Sequence, residues 1–229
     1  MQRPPIAIRP ATAADRPLAA TILARAFIDD PALCFLFRDA ADRPRRLARF
    51  FALITSIDAT PELWTLAGDA GAADSVVYAG AADRAADAGA GAADAGATDA
   101  AVALWRPPGQ WKTPMAATLV QALPLIQVFG LSLRRALAMQ GQLEAHHPQA
   151  PHWYLQFVGC VPERHGRGLG GAVIRARLAQ CDIDGMPAAL ETATPANLGL
   201  YEALGFAVTG TYRITGGGPQ FWSMWRAPR

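Results

Sequence analysis

The chain is poor in the residues that would have pointed to several common chemistries. Serine occurs four times, as Ser56, Ser75, Ser132 and Ser223, and none stands in a G-x-S-x-G elbow, so a nucleophile-elbow hydrolase is excluded. Cysteine occurs three times, as Cys34, Cys160 and Cys181. An odd number without paired spacing argues against a disulfide framework and fits reduced thiols in a cytoplasm. Neither the cysteines nor the histidines show metal-site spacing, and DIDG at 182–185 lacks the rest of a calcium loop, so no metal is expected. The Gly-Lys-Ser/Thr ending of a P-loop is absent. A surplus of charge is missing as well: a net charge of +2 is too slight to argue for nucleic acid or an anionic membrane surface. Long apolar runs are missing too. MQRPPIAIRP has no run of signal-peptide length, and the most apolar segment, LVQALPLIQVFGLSL, is interrupted by Gln121, Pro124 and Gln127. These absences predict a soluble cytoplasmic protein, with oligomeric state left open.

With 229 residues, read as one domain over 1–229, the chain can bury a proper core. Because 49 of them are Ala, that core must come from Leu, Ile, Val, Phe and Trp. IAIRP (6–10) reads as a first strand, and Thr12 with Asp15 forms a capping-box-like helix start ahead of a buried stripe of Leu18, Ile22 and Phe27. Leu47, Phe50, Phe51 and Ile54 follow at helical spacing. ELWTLAG and SVVYAG compete for the next strand; β-branched content favours SVVYAG, and AVALW (101–105) is predicted to pair with it. Residues 79–101, with 13 Ala, four Asp and four Gly, offer nothing large to bury and are predicted to be a flexible hairpin insertion. Residues 113–145 read as helical, broken near Pro124 and Gly130.

The last third carries the chemistry. WYLQFVGCV (153–161) is strand-like and Pro162 stops it, while Leu169, Ala172, Val173 and Ala176 recur at helical spacing. The glycines of ERHGRGLGG therefore lie on a strand-to-helix turn, where unpaired N–H groups and a partial positive charge attract an anion. Glycine removes the Cβ atoms that would hold the anion away. Arg164 and Arg167 add charge, with no carboxylate between Glu163 and Asp182. Packing alone would explain some of these glycines. A dinucleotide fold would explain Gly166, Gly168 and Gly171 as G-x-G-x-x-G with Glu191 twenty residues on, although PERH intervenes between strand and glycines and 38 residues after Glu191 are too few for the rest of that sheet.

VPERHGRGLGGAVI resembles the acetyl-CoA-binding motif of the GCN5-related N-acetyltransferase (GNAT) superfamily, with His165 standing where Gln or Arg is usual. HWYLQFVGCVPERHGRGLGG and PAALETATPANLGLYEALGF further resemble the puromycin N-acetyltransferase branch. The resemblance implies an α/β fold with a mixed, largely antiparallel twisted sheet and helices on both faces, and acetyl-CoA as co-substrate. It implies that backbone N–H groups of His165, Gly166, Arg167, Gly168, Leu169, Gly170 and Gly171 hold the diphosphate. It implies that the strand carrying Val158, Gly159, Cys160 and Val161 splays from its neighbour to receive pantetheine, an N–H near Cys160 or Val161 serving the oxyanion. On the helix of TPANLGLYEALGF, opened by Thr194 and Pro195 and closed by Gly205, it implies Tyr201 as general acid and Asn197 as a pantetheine contact; Tyr201 as a plain core aromatic remains the alternative. An amine must lose a proton before attack, and Glu191 at a strand end is the candidate base, or else a carboxylate paired with an arginine. His146, His147 and His152 titrate in the right range but sit in what reads as a surface loop, and Asp29 and Asp30, which could attract a cationic substrate, read first as a helix exit. The expected activity is acetyl transfer to an amine of a small molecule. A non-catalytic acyl-CoA-binding protein is the other class.

Overall fold

The structure, a computed structural model, describes residues 5–57, 60, 63–69, 98–112 and 122–229. Its organising element is the apolar AVALW stretch, the core of strand β3 (Thr98–Arg106). Val102 and Leu104 pack among helices on one face, while Ala101, Ala103 and Trp105 pack on the other. A strand covered on both faces needs no polar alternation, which is why it reads as a continuous apolar run.

Around it lie β1 (Ile6–Pro10), β2 (Thr65–Asp69), β4 (Trp153–Cys160), β5 (Ala188–Thr192), β6 (Ala207–Arg213) and β7 (Gln220–Arg226), in the order β1-β2-β3-β4-β5-β7-β6. Every neighbouring pair is antiparallel except β4 with β5. This is the mixed, largely antiparallel sheet that was expected, and it excludes the doubly wound parallel sheet of the dinucleotide reading.

One face carries α1 (Arg16–Ala26), α2 (Pro31–Leu36), α3 (Arg43–Ile57), α4 (Ala122–Phe129) and α5 (Leu133–His146). Phe51 meets Phe27 at 5.4 Å and Phe157 of β4 at 5.3 Å between ring centroids. Such tilted and edge-on pairs each contribute about 0.5–1.5 kcal/mol beyond the area they bury. The other face carries α6 (Leu169–Ile183) and α7 (Leu198–Ala203), which pack Val173, Ile174, Leu178, Tyr201 and Leu204 against the sheet.

Several local expectations hold. The Thr12 N–H donates to the Asp15 carboxylate at 2.7 Å ahead of α1. Ile22 is buried, but Leu18 is exposed, and Ala19 and Leu23 take its place in the stripe. The strand beside β3 is TLAGD of the ELWTLAG stretch, not SVVYAG, which lies outside the described residues. Burial of Trp64 and Leu66, both fully enclosed, outweighs the intrinsic preference that favoured Val76 and Val77. Of the Ala-rich stretch, residues 98–101 belong to β3, where Ala100 and Ala101 are buried; 79–97 lie outside the described residues. Small side chains are what the sheet needs beneath α6. In the 113–145 region the break falls at Gly130, with φ +50°, whereas Pro124 sits in the first turn of α4, where its missing N–H costs nothing. Residues 113–121 lie outside the described residues.

Candidate active site

The sheet opens at one place. β4 and β5 run parallel and pair only through Trp153↔Ala188, Tyr154↔Ala189 and Leu155↔Leu190. Beyond Leu155 the register of β4 against β3 shifts opposite Leu104 and Trp105, so β4 stays bonded to β3 while β5 departs. The Val161 N–H donates to the Ala100 carbonyl at 2.8 Å, so it is not available to an oxyanion. The alternation of an antiparallel pair then turns the N–H groups of Cys160 and Val158 toward the gap. Gly159 has a packing reason of its own: an added Cβ would lie 2.7 Å from the Cβ of Ala26 in α1.

At the open end of the gap the chain makes a short 3-10 turn, Pro162–Arg164, and enters α6. The His165 N–H is spent inside that turn on the Pro162 carbonyl, at 3.1 Å. Its imidazole Nε2 donates to the Cys160 carbonyl at 3.0 Å, since a carbonyl only accepts, and so ties the turn to the strand end. The first bond of α6 runs from the Ala172 N–H to the Gly168 carbonyl at 2.9 Å. The stretch between, 166–171, is left to offer donors to an anion. Gly166 and Gly168 have φ of +74° and +87°, which only glycine adopts without strain. Gly170 is different: its φ is not left-handed, and an added Cβ would meet no protein atom within 4 Å. The fold therefore does not require glycine there, whereas an anion lying against the first turn would. Gly171 faces only the flexible Arg175 guanidinium, and Leu169 points its side chain into the core, so both can contribute through backbone alone. The residues present fit a diphosphate.

The charge around this turn differs from the expectation. Arg164 and Arg167 both pair with Asp69 at the end of β2, Arg167 at 3.1 Å, and Glu163 pairs with Arg25 at 2.5 Å. Sequence distance hid this compensation, because Asp69 lies 95 residues before Arg164.

Glu191 lies one residue past the last β4–β5 pair, and its side chain is only 3% exposed. Tyr154 of β4 donates to its Oε2 at 3.0 Å and Tyr212 of β6 donates to its Oε1 at 3.2 Å. Burial, then the Glu191 charge, push both phenols above their ordinary value, so both remain donors at neutral pH. His147 Nδ1 stands 3.7 Å from Oε2. Contrary to the surface-loop expectation, His147 and His152 are buried, at 4% and 3% exposure; His146 is exposed and stacks on Tyr212 at 3.9 Å. No arginine pairs with Glu191 among the described residues. The sequence signal for Tyr154 was its parity in WYLQF: it alternates with Leu155 and shares a sheet face with Glu191.

Tyr201 is 5% exposed and packs with Phe206 among the side chains beneath α6 and α7. Burial pushes its phenol above the ordinary value, and the Asp30 carboxylate adds to that. Asp30 is a helix start as much as a helix exit: its Oδ1 accepts from the N–H groups of Ala32 and Leu33, both at 3.0 Å, and its Oδ2 accepts from the Thr194 hydroxyl at 3.1 Å. The α7 region opens with a 3-10 turn, Pro195–Asn197, and closes at Gly205, φ +94°, with Phe206 N–H on the Tyr201 carbonyl and Gly205 N–H on the Glu202 carbonyl. Asn197 is exposed while Tyr201 is buried, so the two do not share an environment. The 3-10 geometry of that turn displaces Asn197 from the face a regular helix would give it.

No protein-family model matches the chain. Solved structures do. An acetyltransferase of Corynebacterium glutamicum described as histone acetyltransferase HPA2 and related is 22% identical, with a TM-score of 0.63, and covers 98% of this chain and 97% of its own. Arylalkylamine N-acetyltransferase 2 of Aedes aegypti is 10% identical, with a TM-score of 0.59 over 98% of this chain and 99% of its own. A Drosophila melanogaster polyamine N-acetyltransferase that catalyses formation of N-acetylagmatine is 12% identical, with a TM-score of 0.56 over 97% of this chain and 100% of its own. The parted β4 and β5, the glycine turn that opens α6 and these likenesses agree: this chain has the fold of the GCN5-related N-acetyltransferases.

Proposed function

We propose that the protein is an N-acetyltransferase that moves the acetyl group of acetyl-CoA to an amine of a small molecule. Bound acetyl-CoA supplies an acetyl group activated as a thioester. The observation that supports the reading most is the open edge of β4 beyond Leu155, with a glycine turn fit for a diphosphate at one end and Glu191 one residue past the last β4–β5 pair. First-turn N–H groups of α6 bind the diphosphate. The Cys160 N–H, turned toward the gap, donates to the charge that develops on the acetyl oxygen. Glu191, oriented by Tyr154 and Tyr212, takes the proton of the incoming ammonium. Tyr201, kept protonated by burial, gives its proton to the departing sulfur. The solved neighbours that act on arylalkylamines and polyamines support an amine acceptor, and the puromycin-like motif adds aminonucleosides to the candidates.

The test is release of free thiol from acetyl-CoA against a panel of small amines, aminonucleosides, amino acids and peptides. Turnover of at least one amine, with Tyr201→Phe and Glu191→Gln each lowering kcat by about 100-fold, is the expected result. Tight CoA binding with no turnover anywhere in the panel would instead favour a CoA-binding regulatory protein.

A further inference from the structure

The charge of the chain is slight in total but unevenly spread. Residues 37–49 and 122–143 hold seven arginines against two aspartates, Asp39 and Asp42, so the remainder of a chain that carries +2 is net negative. Asp42 is already met twice, by Arg45 and by Arg46, both at 2.7 Å. Arg38, Arg43, Arg49, Arg134 and Arg135 form no salt bridge among the described residues.

The fold gathers these segments around the turn that joins α4 to α5. From α3, the Arg46 guanidinium donates to the Val128 carbonyl at 2.8 Å and lies 3.5 Å from where a Cβ on Gly130 would stand. From α5, Arg135 donates to the Ser132 hydroxyl at 2.8 Å and to the Leu36 carbonyl at 3.0 Å. Arg135 also shares the Phe35 ring with Arg38. Leu131 stands between Gly130 and Ser132, the two residues these arginines touch, and it is fully exposed, at 102%. Arg134 and Leu137 follow it at helical spacing and are exposed on the same face. Single exposed aliphatic side chains are ordinary. Here, of the eight large ones exposed among the described residues, four lie between 123 and 137: Leu123, Ile126, Leu131 and Leu137.

We propose that this face is a docking surface for an anionic lipid membrane, with Leu131 and its aliphatic neighbours entering the headgroup boundary while the arginines meet lipid phosphates. The inference does not rest on the acetyl-transfer reading. Among the described residues no helix is long and apolar enough to cross a membrane, so the protein lies on the surface rather than spanning it. An aliphatic tip ringed by cations fits this occupant better than others. Arginine stems run along apolar surface while their heads stay polar, as Arg38 and Arg135 already do over Phe35, and the boundary between acyl chains and phosphates suits both parts. A polyanion such as duplex nucleic acid would engage the arginines but leave four aliphatic side chains in water. A second copy related by a two-fold axis would bring the arginines of one chain against those of the other.

The test is co-sedimentation of the full chain with vesicles of phosphatidylcholine alone and of phosphatidylcholine containing about one third phosphatidylglycerol. We expect sedimentation with the anionic vesicles only, and its loss in about 0.5 M NaCl. Arg134→Gln should lower the partition coefficient about fivefold, and Leu131→Gln about tenfold. Both side chains are exposed, so both variants should melt with the native protein and match it in thiol release. Sedimentation with neither vesicle, or equally with both, would overturn the proposal. So would variants that bind the anionic vesicles as the native protein does. A dimer in sedimentation velocity that Leu131→Gln dissociates would overturn it by giving the face to a second copy. Binding to a DNA duplex that Leu131→Gln leaves unchanged, with the vesicles ignored, would overturn it in favour of a polyanion.

Discussion

Gly170→Ala separates folding from binding at the proposed diphosphate site. Gly170 is the second residue of α6, its φ is not left-handed, and an added Cβ meets no protein atom within 4 Å. Alanine in a helix interior is favoured over glycine by up to about 1 kcal/mol, and roughly half of that is a fair expectation in a first turn. For a chain of this size it corresponds to a Tm higher by about 1–2 °C. The effect on binding has the opposite sign. A helical Cα–Cβ bond tilts toward the helix N-terminus, so the methyl group enters the space ahead of the first-turn N–H groups. An anion held at about 3 Å from those donors would have to move back and lose at least one charge-assisted bond, worth roughly 1.5–3 kcal/mol. CoA should therefore bind about tenfold more weakly or worse. Calorimetric titration of native and variant protein with CoA, alongside a thermal melt, reads both quantities, and pantetheine, which lacks the diphosphate, should bind the two proteins alike. A variant that melts higher yet binds CoA as tightly as the native protein would refute an anion seated on this turn. Gly168→Ala is the less informative change, because its φ of +87° would add backbone strain of about 1–2 kcal/mol.

Three further outcomes follow from the packing and the charges. Gly159→Val should lower stability by about 1–3 kcal/mol through overpacking, since even its Cβ would lie 2.7 Å from Ala26 and 3.2 Å from Leu23; an unchanged melt would mean that α1 does not press on β4. The Asp15 carboxyl is held at about 2, first by its hydrogen bond from Arg9 and then by bonds from Thr12, below its unfolded value of about 3.8. A folded value below the unfolded one gives stability that is complete above about pH 4 and is lost as pH falls toward 2. Allowing for solvent screening at the part-exposed Arg9, acid melts of Asp15→Asn should show about 1 kcal/mol less of this pH-dependent loss than the native protein, and parallel curves would count against the pairing. Burial pushes the fully enclosed Cys181 thiol up to about 12, so maleimide at pH 8 should leave Cys181 unmodified in the folded protein and label it after unfolding, as peptide mass spectrometry will read; rapid labelling of the native state would contradict the core packing of α6.

The strand-to-helix turn was legible because its chemistry is local: four glycines within six positions, a proline stop before them and helical spacing after them lie in one short stretch. The closing turn after Tyr201 was legible for the same reason, since Gly205 sets its conformation alone. What escaped the sequence is what the topology brings together. Asp69 reaches Arg164 and Arg167 only because β2 is two strands from β4 in the sheet. Tyr154 and Tyr212 converge on Glu191 from β4 and β6, which stand on either side of the β5–β7 pair. His147 and His152 looked like surface because a polar loop is usually exposed, and Trp111 and Trp225, far away in sequence, are what cover them. The choice of SVVYAG over TLAGD failed on a related point: propensity counts residues one at a time, and the position beside β3 was decided by the room available for Trp64 and Leu66.

The placement of the proposed base, Glu191, and the proposed acid, Tyr201, follows from the period of a strand. Along β5, Leu190 packs beneath α6 and α7, so Glu191, the next residue, must face the side of α1 and α5. Tyr201 belongs to the α6 and α7 side. Two groups on opposite faces of a continuous sheet could not serve one reacting centre, because the strands between them would be in the way. Here the sheet is not continuous: β4 and β5 lose contact after Leu155 and Leu190, directly before Glu191. In the proposed reaction a thioester threaded into that gap would meet Tyr201 from one face and an amine passing Glu191 from the other. On that proposal the acceptor would enter from the side walled by α1, α2 and α5, and the nucleotide end of CoA would stay with the α6 turn. Asp30 spans the two sides, capping α2 while accepting from Thr194 at the start of the Tyr201 turn.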